Sequence, residues 1–187
     1  GNLARFLIRA HASVRPLKKI FLWGRTKANA EAVVADMQKE LPDIEFVVTD
    51  DIQSACGQAD IVVVATGSPD ILVQGDWIKE GTHTDFLGNH HADKRECDTA
   101  LVVKSKVYLD TYVNCFNEAG EVLVPIEEGV FNKADVKGEL AELCMAKVTG
   151  RESDSEITLF KSVGSALSDL VGANHAFQSL SKSQKVK

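Results

Sequence analysis

The sequence lacks the marks of several common protein classes. No two of its four cysteines, Cys56, Cys97, Cys115 and Cys144, form a C-x-x-C pair, and they are too scattered for a disulfide frame or a zinc knuckle. They read as buried or free thiols in a reducing compartment. The longest apolar runs, such as Ile61 to Ala65, fall far short of the roughly 20 residues a membrane helix needs, and no signal-like stretch with a cleavage site opens the chain. The expectation is a cytoplasmic protein with no membrane partner. An excess of positive charge is absent too: 21 basic against 27 acidic residues leave a net charge of -6, which argues against a nucleic-acid partner. There are no repeats and no low-complexity tracts, and only the Ser/Lys/Gln-rich end from Ser179 to Lys187 is expected to fray.

One absence is local. From Gly1 to Lys27 there is no acid at all, while Arg5, Arg9, Arg15, Lys18, Lys19, Arg25 and Lys27 are all basic. Such a segment offers a positive field to an anionic ligand, or it is a solvated basic helix face; charge alone leaves both readings open.

What is present is an ordinary globular composition, 44% apolar and 26% charged over 187 residues, sized for one large domain or one and a part. Leu3, Phe6, Leu7 and Ala10 recur at helical spacing before Pro16, and Ile20 to Trp23 is a β-prone run. Thr26 can cap a second helix through Met37 and Leu41, with Ala30, Val33, Val34 and Met37 on one face and Pro42 as its stop. A short strand is expected at Phe46 to Val48, a short helix at Asp51 to Gly57, and a strand buried on both faces at Ile61 to Ala65. Strands near Thr82 to Leu87 and Val107 to Asp110 flank a helical stretch from Glu96 to Ser105. This alternation predicts an open α/β sheet with helices on both sides.

The chain opens on "GNLA", the second half of a G-x-G-x-x-G/A dinucleotide fingerprint, with Gly1 as the second glycine and Ala4 as the third small position. In that motif, backbone N–H groups at a helix start meet the pyrophosphate. The half-motif is common by chance, but Arg25 falls at the end of the next strand, about where the fingerprint expects its ribose-reading residue. An acid there would bind the ribose hydroxyls of NAD. Arg25 and Thr26 instead offer a guanidinium and a hydroxyl to a 2′-phosphate, which favours NADP(H), with NAD still open. The other reading makes Arg25 a turn residue and Thr26 a cap. Beyond the third strand, Ala65, Thr66, Gly67 and Ser68 are small, where doubly wound folds leave room for a ligand.

Four ordered blocks carry a wider likeness: "GNLARFLIRAHASVRPLKKIFLWGRTKANAE", "ADIVVVATGSPDILVQGDWIKEGTHTDFLGNHHADKRECD", "EAGEVLVPIEEGVF" and "GRESDSEITLFKSVGSALSDL". Together they resemble the ornithine cyclodeaminase/mu-crystallin family up to about Phe177. The resemblance implies a Rossmann-like doubly wound parallel sheet binding NAD(P), over residues 1–150, and a strand and helix at 151–187 returning towards a substrate and dimerisation domain. It implies a homodimer and a small amino or imino acid substrate. The family's enzymes include ornithine and lysine cyclodeaminases, alanine dehydrogenase and cyclic ketimine reductases, while mu-crystallin binds a small aromatic ligand. The family pattern also places many residues, including those that hold the substrate carboxylate, ahead of the fingerprint. The first strand of the sheet is thus expected outside this chain, and its loss would expose two strand edges against a domain stability of only about 5–15 kcal/mol. The expectation is that the missing part is supplied elsewhere, or that the piece does not fold alone.

The family pattern implies site residues as well. Pyrophosphate is assigned to Gly1, Asn2, Leu3 and Ala4; Leu87, Gly88, Asn89 and Lys94 line the cofactor; Ser162 meets the nicotinamide and Val163 the substrate. His90 stands where ornithine cyclodeaminase has its proton-transferring Asp. An unperturbed imidazole titrates at about 6.5, so His90 remains a competent general acid. Loss of the fixed negative charge disfavours ornithine cyclodeamination relative to reduction of a cyclic ketimine of the pyrroline- or piperideine-2-carboxylate type, although Asp93 is near enough to restore an acid after a loop shift. A ligand-binding role like that of mu-crystallin is the alternative of a different class. No metal is expected: His90 and His91 should point to opposite faces, and their i+4 neighbours Lys94 and Arg95 are not ligands. His11, His83 and His175 read as packing or surface histidines without arranged partners. In "ITLFKSVG", Ser162 can also cap the last helix, with Gly164 allowing close packing.

Overall fold

Strands and helices alternate along the chain in the computed structural model, which describes residues 2–184. Helix α1 (Ala4–Val14) leads to strand β1 (Lys19–Leu22), α2 (Lys27–Glu40) to β2 (Glu45–Val48), and α3 (Ile52–Gln58) to β3 (Ile61–Val64). Then follow β4 (His83–Phe86), α4 (Thr99–Lys104), β5 (Lys106–Leu109), α5 (Tyr112–Glu118), α6 (Gly120–Glu127), β6 (Gly138–Glu139), α7 (Leu140–Cys144), β7 (Thr158–Lys161) and α8 (Ala166–Gln184). Every ladder is parallel. β1 and β2 form a two-stranded sheet, and five strands form a second in the order β3-β4-β7-β5-β6. Among the described residues, β1 and β3 each keep one edge without a strand partner.

The period of two along each strand separates the faces of the larger sheet. On one face Val62, Thr84, Leu159 and Val107 lie in register, followed by Val64, Phe86, Lys161 and Leu109, and all are buried. They pack with Leu101 and Val102 of α4, Cys115 of α5 and Val122 of α6 in one core. Burying each large apolar side chain contributes about 1.5–3 kcal/mol. The opposite face carries His83 and Asp85 towards α1, where His11 Nε2 lies 3.7 Å from Asp85 Oδ2. Helices thus cover both faces, the Rossmann-like α/β arrangement expected. The smaller sheet has its own core of Ile8, Val33 and Met37.

Several local expectations need correction. β3 is fully buried on one face only, since Ile61 and Val63 stay partly exposed beside the more polar face. Glu96 lies outside α4, which starts at Thr99 because Asp98 caps it by accepting from Leu101 N at 2.9 Å. Thr26 sits at the start of α2, but its hydroxyl makes no capping bond. His11 and His83 do have partners: His83 Nδ1 is 2.8 Å from Thr158 Oγ1, and burial lowers the pKa of its ring. The apolar block around Val122 forms α6 despite Pro125, which stands within that helix.

Candidate active site

In a parallel sheet all strands end at the same edge, and ligands bind in the crevice beyond it. In the five-stranded sheet that edge gathers Ala65 to Ser68 after β3, Leu87 to His90 after β4, Asp110 after β5 and Ser162 to Gly164 after β7, while Gly24 to Thr26 follow β1 of the two-stranded sheet. α1 precedes β1, and its Ile8 lies in the core against which Ile20 and Leu22 of that strand pack. Gly1 lies outside the described residues; Asn2 and Leu3 are exposed, and α1 has neither an acid nor a side-chain cap in its first turn.

Three of these strand ends are stapled together. Leu87 N donates to Val64 O at 2.8 Å, and Ser162 N to Phe86 O at 3.0 Å. The Glu96 side chain, wholly buried, accepts from Thr66 N (2.8 Å) and Thr66 Oγ1 (2.6 Å) on one oxygen and from Gly88 N (2.8 Å) on the other. Asn89 Nδ2 donates to Ser68 O at 2.9 Å. Gly88 has to be glycine here, because a Cβ would overlap the Thr66 carbonyl oxygen and the Glu96 carboxylate. Lys161 Nζ donates to Asn89 O at 2.7 Å and sits 2.9 Å from Glu121 Oε2, with both side chains fully buried. That ion pair closes off-axis, giving Glu121 Oε2 a charge contact without an aligned hydrogen bond. Glu121 Oε1 accepts from Glu96 N at 3.0 Å.

Asp110 organises the end of β7. Its carboxylate takes five donors: Ser162 Oγ (2.9 Å), Val163 N (3.0 Å) and Gly164 N (2.7 Å) on one oxygen, Thr111 N (2.6 Å) and Cys115 Sγ (3.0 Å) on the other. Ser162 is therefore held by Asp110 and is not the cap of α8, which begins four residues later. Gly164 owes its place to a φ of +87°, with open space around it, and close packing plays no part. Burial pushes the thiols of Cys56 (to about 11), Cys97 and Cys115 up, so none of them supplies a thiolate at neutral pH.

Of the remaining predicted residues, His90, Arg25 and Thr26 face solvent, while Lys94 is half-buried. His90 is exposed and stacks on His91 with ring centroids 4.6 Å apart, where opposite faces were expected. Lys94 donates its backbone N–H to His91 O at 3.1 Å, closing the loop. Arg25 and Thr26 are exposed on the smaller sheet and share no contact with the 66, 88 and 162 loops among the described residues. Sequence reasoning missed Glu96, Asp110, Glu121 and Lys161. Two of them left a signal, since Glu121 and Lys161 are single charges inside apolar runs, "AGEVLVP" and "ITLFKSV".

The edge fits a nicotinamide dinucleotide. The loops end in small residues, an added Cβ at Gly67 would meet nothing within 4 Å, and the Arg25 guanidinium has no acid partner among the described residues. The larger sheet's loops thus offer room, and the smaller sheet offers a cation, unpaired among the described residues, suited to an anionic ligand.

The comparisons with known proteins agree. The chain is 43% identical over 180 residues to the Delta(1)-pyrroline-2-carboxylate reductase of Colwellia psychrerythraea, covering 96% of this chain and 57% of that protein. The Thermococcus litoralis Delta(1)-pyrroline-2-carboxylate reductase, solved with NADH and L-proline, superposes with a TM-score of 0.94 at 35% identity, covering 98% of this chain and 57% of that one. An archaeal alanine dehydrogenase dimer with bound NAD superposes with a TM-score of 0.89 at 28% identity, over 98% of this chain and 56% of that one. The chain thus spans little more than half the length of the relatives it matches. The family model for ornithine cyclodeaminase/mu-crystallin proteins matches residues 1–184, and the chain belongs to that family.

Proposed function

We propose that the protein reduces a cyclic ketimine of the pyrroline- or piperideine-2-carboxylate type, using a reduced nicotinamide dinucleotide. The observation that carries this reading is the pinned edge: three adjacent strand ends held by the buried Glu96 and the half-buried Asp110, with the exposed His90 imidazole on the middle loop. The cofactor, when bound, supplies hydride to the imine carbon. The chain's own residues do the rest. Thr66, Leu87, Gly88 and Ser162 form the walls against which the nicotinamide lies. His90 delivers a proton to the imine nitrogen, directly or through a water it orients. Asp110 is already committed to five donors and serves as scaffold. Val163, whose backbone is fixed by Asp110, faces the substrate.

Arg25 and Thr26 read the 2′-phosphate, which makes NADPH the preferred cofactor. The exposure of Arg25 and the unspent hydroxyl of Thr26 support this. The relatives solved with NADH or NAD make NADH the direct competitor in any test. Residues 1–150 together with β7 form the cofactor domain, and α8 leads into a second domain that completes the substrate site and forms a homodimer. The exposed Leu167, Leu170, Val171, Phe177 and Leu180 of α8 support that assignment, since such apolar surface asks for a cover.

The test is a substrate panel on the full natural chain: pyrroline- and piperideine-2-carboxylate with NADPH or NADH, ornithine with NAD, and pyruvate plus ammonia. Turnover fastest on the cyclic imines with NADPH is expected. Cofactor binding without turnover of any of them would replace the enzyme with a ligand-binding protein.

A further inference from the structure

A sealed chain of charges runs beneath the candidate site. Lys161, Glu121 and Glu96 all have zero exposure and follow one another: Lys161 Nζ to Glu121 Oε2 at 2.9 Å, then Glu121 Oε1 to Glu96 N at 3.0 Å. Each end grips a loop of the strand edge. Lys161 holds the Asn89 carbonyl, one peptide before His90, and the Glu96 carboxylate holds Thr66 and Gly88.

Stability alone is a poor reason for such a chain. Replacing a buried ion pair by well-packed apolar side chains is often neutral or stabilising, because desolvation consumes much of the attraction. Lys161 also ends a strand face otherwise filled by Val64, Phe86 and Leu109, where an apolar residue would suit the core. What the charges supply is position. An apolar side chain at 161 could not hold the Asn89 carbonyl, and without its acceptor at Glu121 the backbone of Glu96 is free to shift the carboxylate that spaces residues 66 and 88.

We propose that Glu121 and Lys161, through Glu96 and Asn89, are positioning residues that set the width of the cleft between the 65–68 and 87–90 loops and the placement of His90. This rests on the reading of that edge as the cofactor edge. The two residues touch neither substrate nor cofactor, so their effect reaches the reaction only through loop geometry. A displacement of about 1 Å at a reacting group costs on the order of 10²-fold in rate.

The double variant E121M/K161M in the full natural chain removes both charges while keeping comparable volume. The proposal predicts a cooperative melt close to wild type, faster hydrogen exchange in peptides spanning 65–68 and 87–90, weaker NADH binding by fluorescence, and kcat on pyrroline-2-carboxylate lower by roughly 10- to 100-fold. A folded double variant with exchange, NADH affinity and kcat unchanged would overturn it. E96Q carries the test independently of that pair. It keeps size and burial but leaves one of its three donors facing an amide N–H₂, so faster exchange at 65–68 or 87–90 with lowered kcat supports the proposal, and neither change refutes it. If wild type binds NADH but turns over no imine, the assigned reaction fails, while exchange and NADH affinity still judge the positioning claim.

Discussion

The two sheets of this molecule are built on different terms. The five-stranded sheet ends in loops whose backbone groups are tied to carboxylates: the buried Glu96 to Thr66 and Gly88, the half-buried Asp110 to Ser162, Val163 and Gly164. The two-stranded sheet ends in Gly24, Arg25 and Thr26, with Arg25 and Thr26 exposed, and its charges pair at the surface, Arg5 with Asp36 and Arg9 with Glu40. Rigid placement matters where bonds change; where a ligand phosphate is only recognised, a long flexible cation suffices. On the proposed function, the difference between the halves corresponds to these two tasks.

Breaking the pinned half should have the largest consequence. Gly88→Ala drives a methyl into the Thr66 carbonyl and the Glu96 carboxylate, so a loss of about 3 kcal/mol or more is expected in denaturant melts, or no folded protein at all. Asp110→Ala leaves the donors of Ser162, Val163 and Gly164 without their acceptor, and a loss of about 1–3 kcal/mol is expected, with raised KM for the imine. The open half should respond in binding and not in folding. Arg25→Ala is expected to weaken NADPH on the order of tenfold in Kd, leave NADH unaffected and leave the melt unmoved. Arg9→Ala, which opens a solvent-exposed pair with Glu40, is expected to give no measurable change in Tm. A large Tm change for Arg25 or Arg9, or none for Gly88, would dissolve the contrast.

The same contrast explains what could be read from the sequence. β1, α2 and β2 follow from apolar spacing and a terminal proline, because helix and strand periods are local properties. The small residues at 65–68 were visible because ligand room demands small side chains, while Gly88 was marked only by the family pattern. Glu96 could not be distinguished from its solvated neighbours in "DKREC", since its burial depends on α6, 25 residues away, supplying Glu121. Asp110 looked like any acid at a strand end until the end of β7, 52 residues downstream, supplied Ser162. Nor did adjacency predict the stacking of His90 on His91, because the loop there is not an extended strand.

His90 is where these threads meet: it is exposed, carried by the pinned loop, and is the proton donor of the proposed reaction. The most direct measurement is therefore kcat of His90→Ala in the full natural chain, with pyrroline-2-carboxylate and NADPH, alongside NADPH affinity and Tm. The account predicts kcat lower by roughly 10²- to 10⁴-fold with cofactor affinity and Tm unchanged. An unchanged kcat would contradict it and pass the proton to another group.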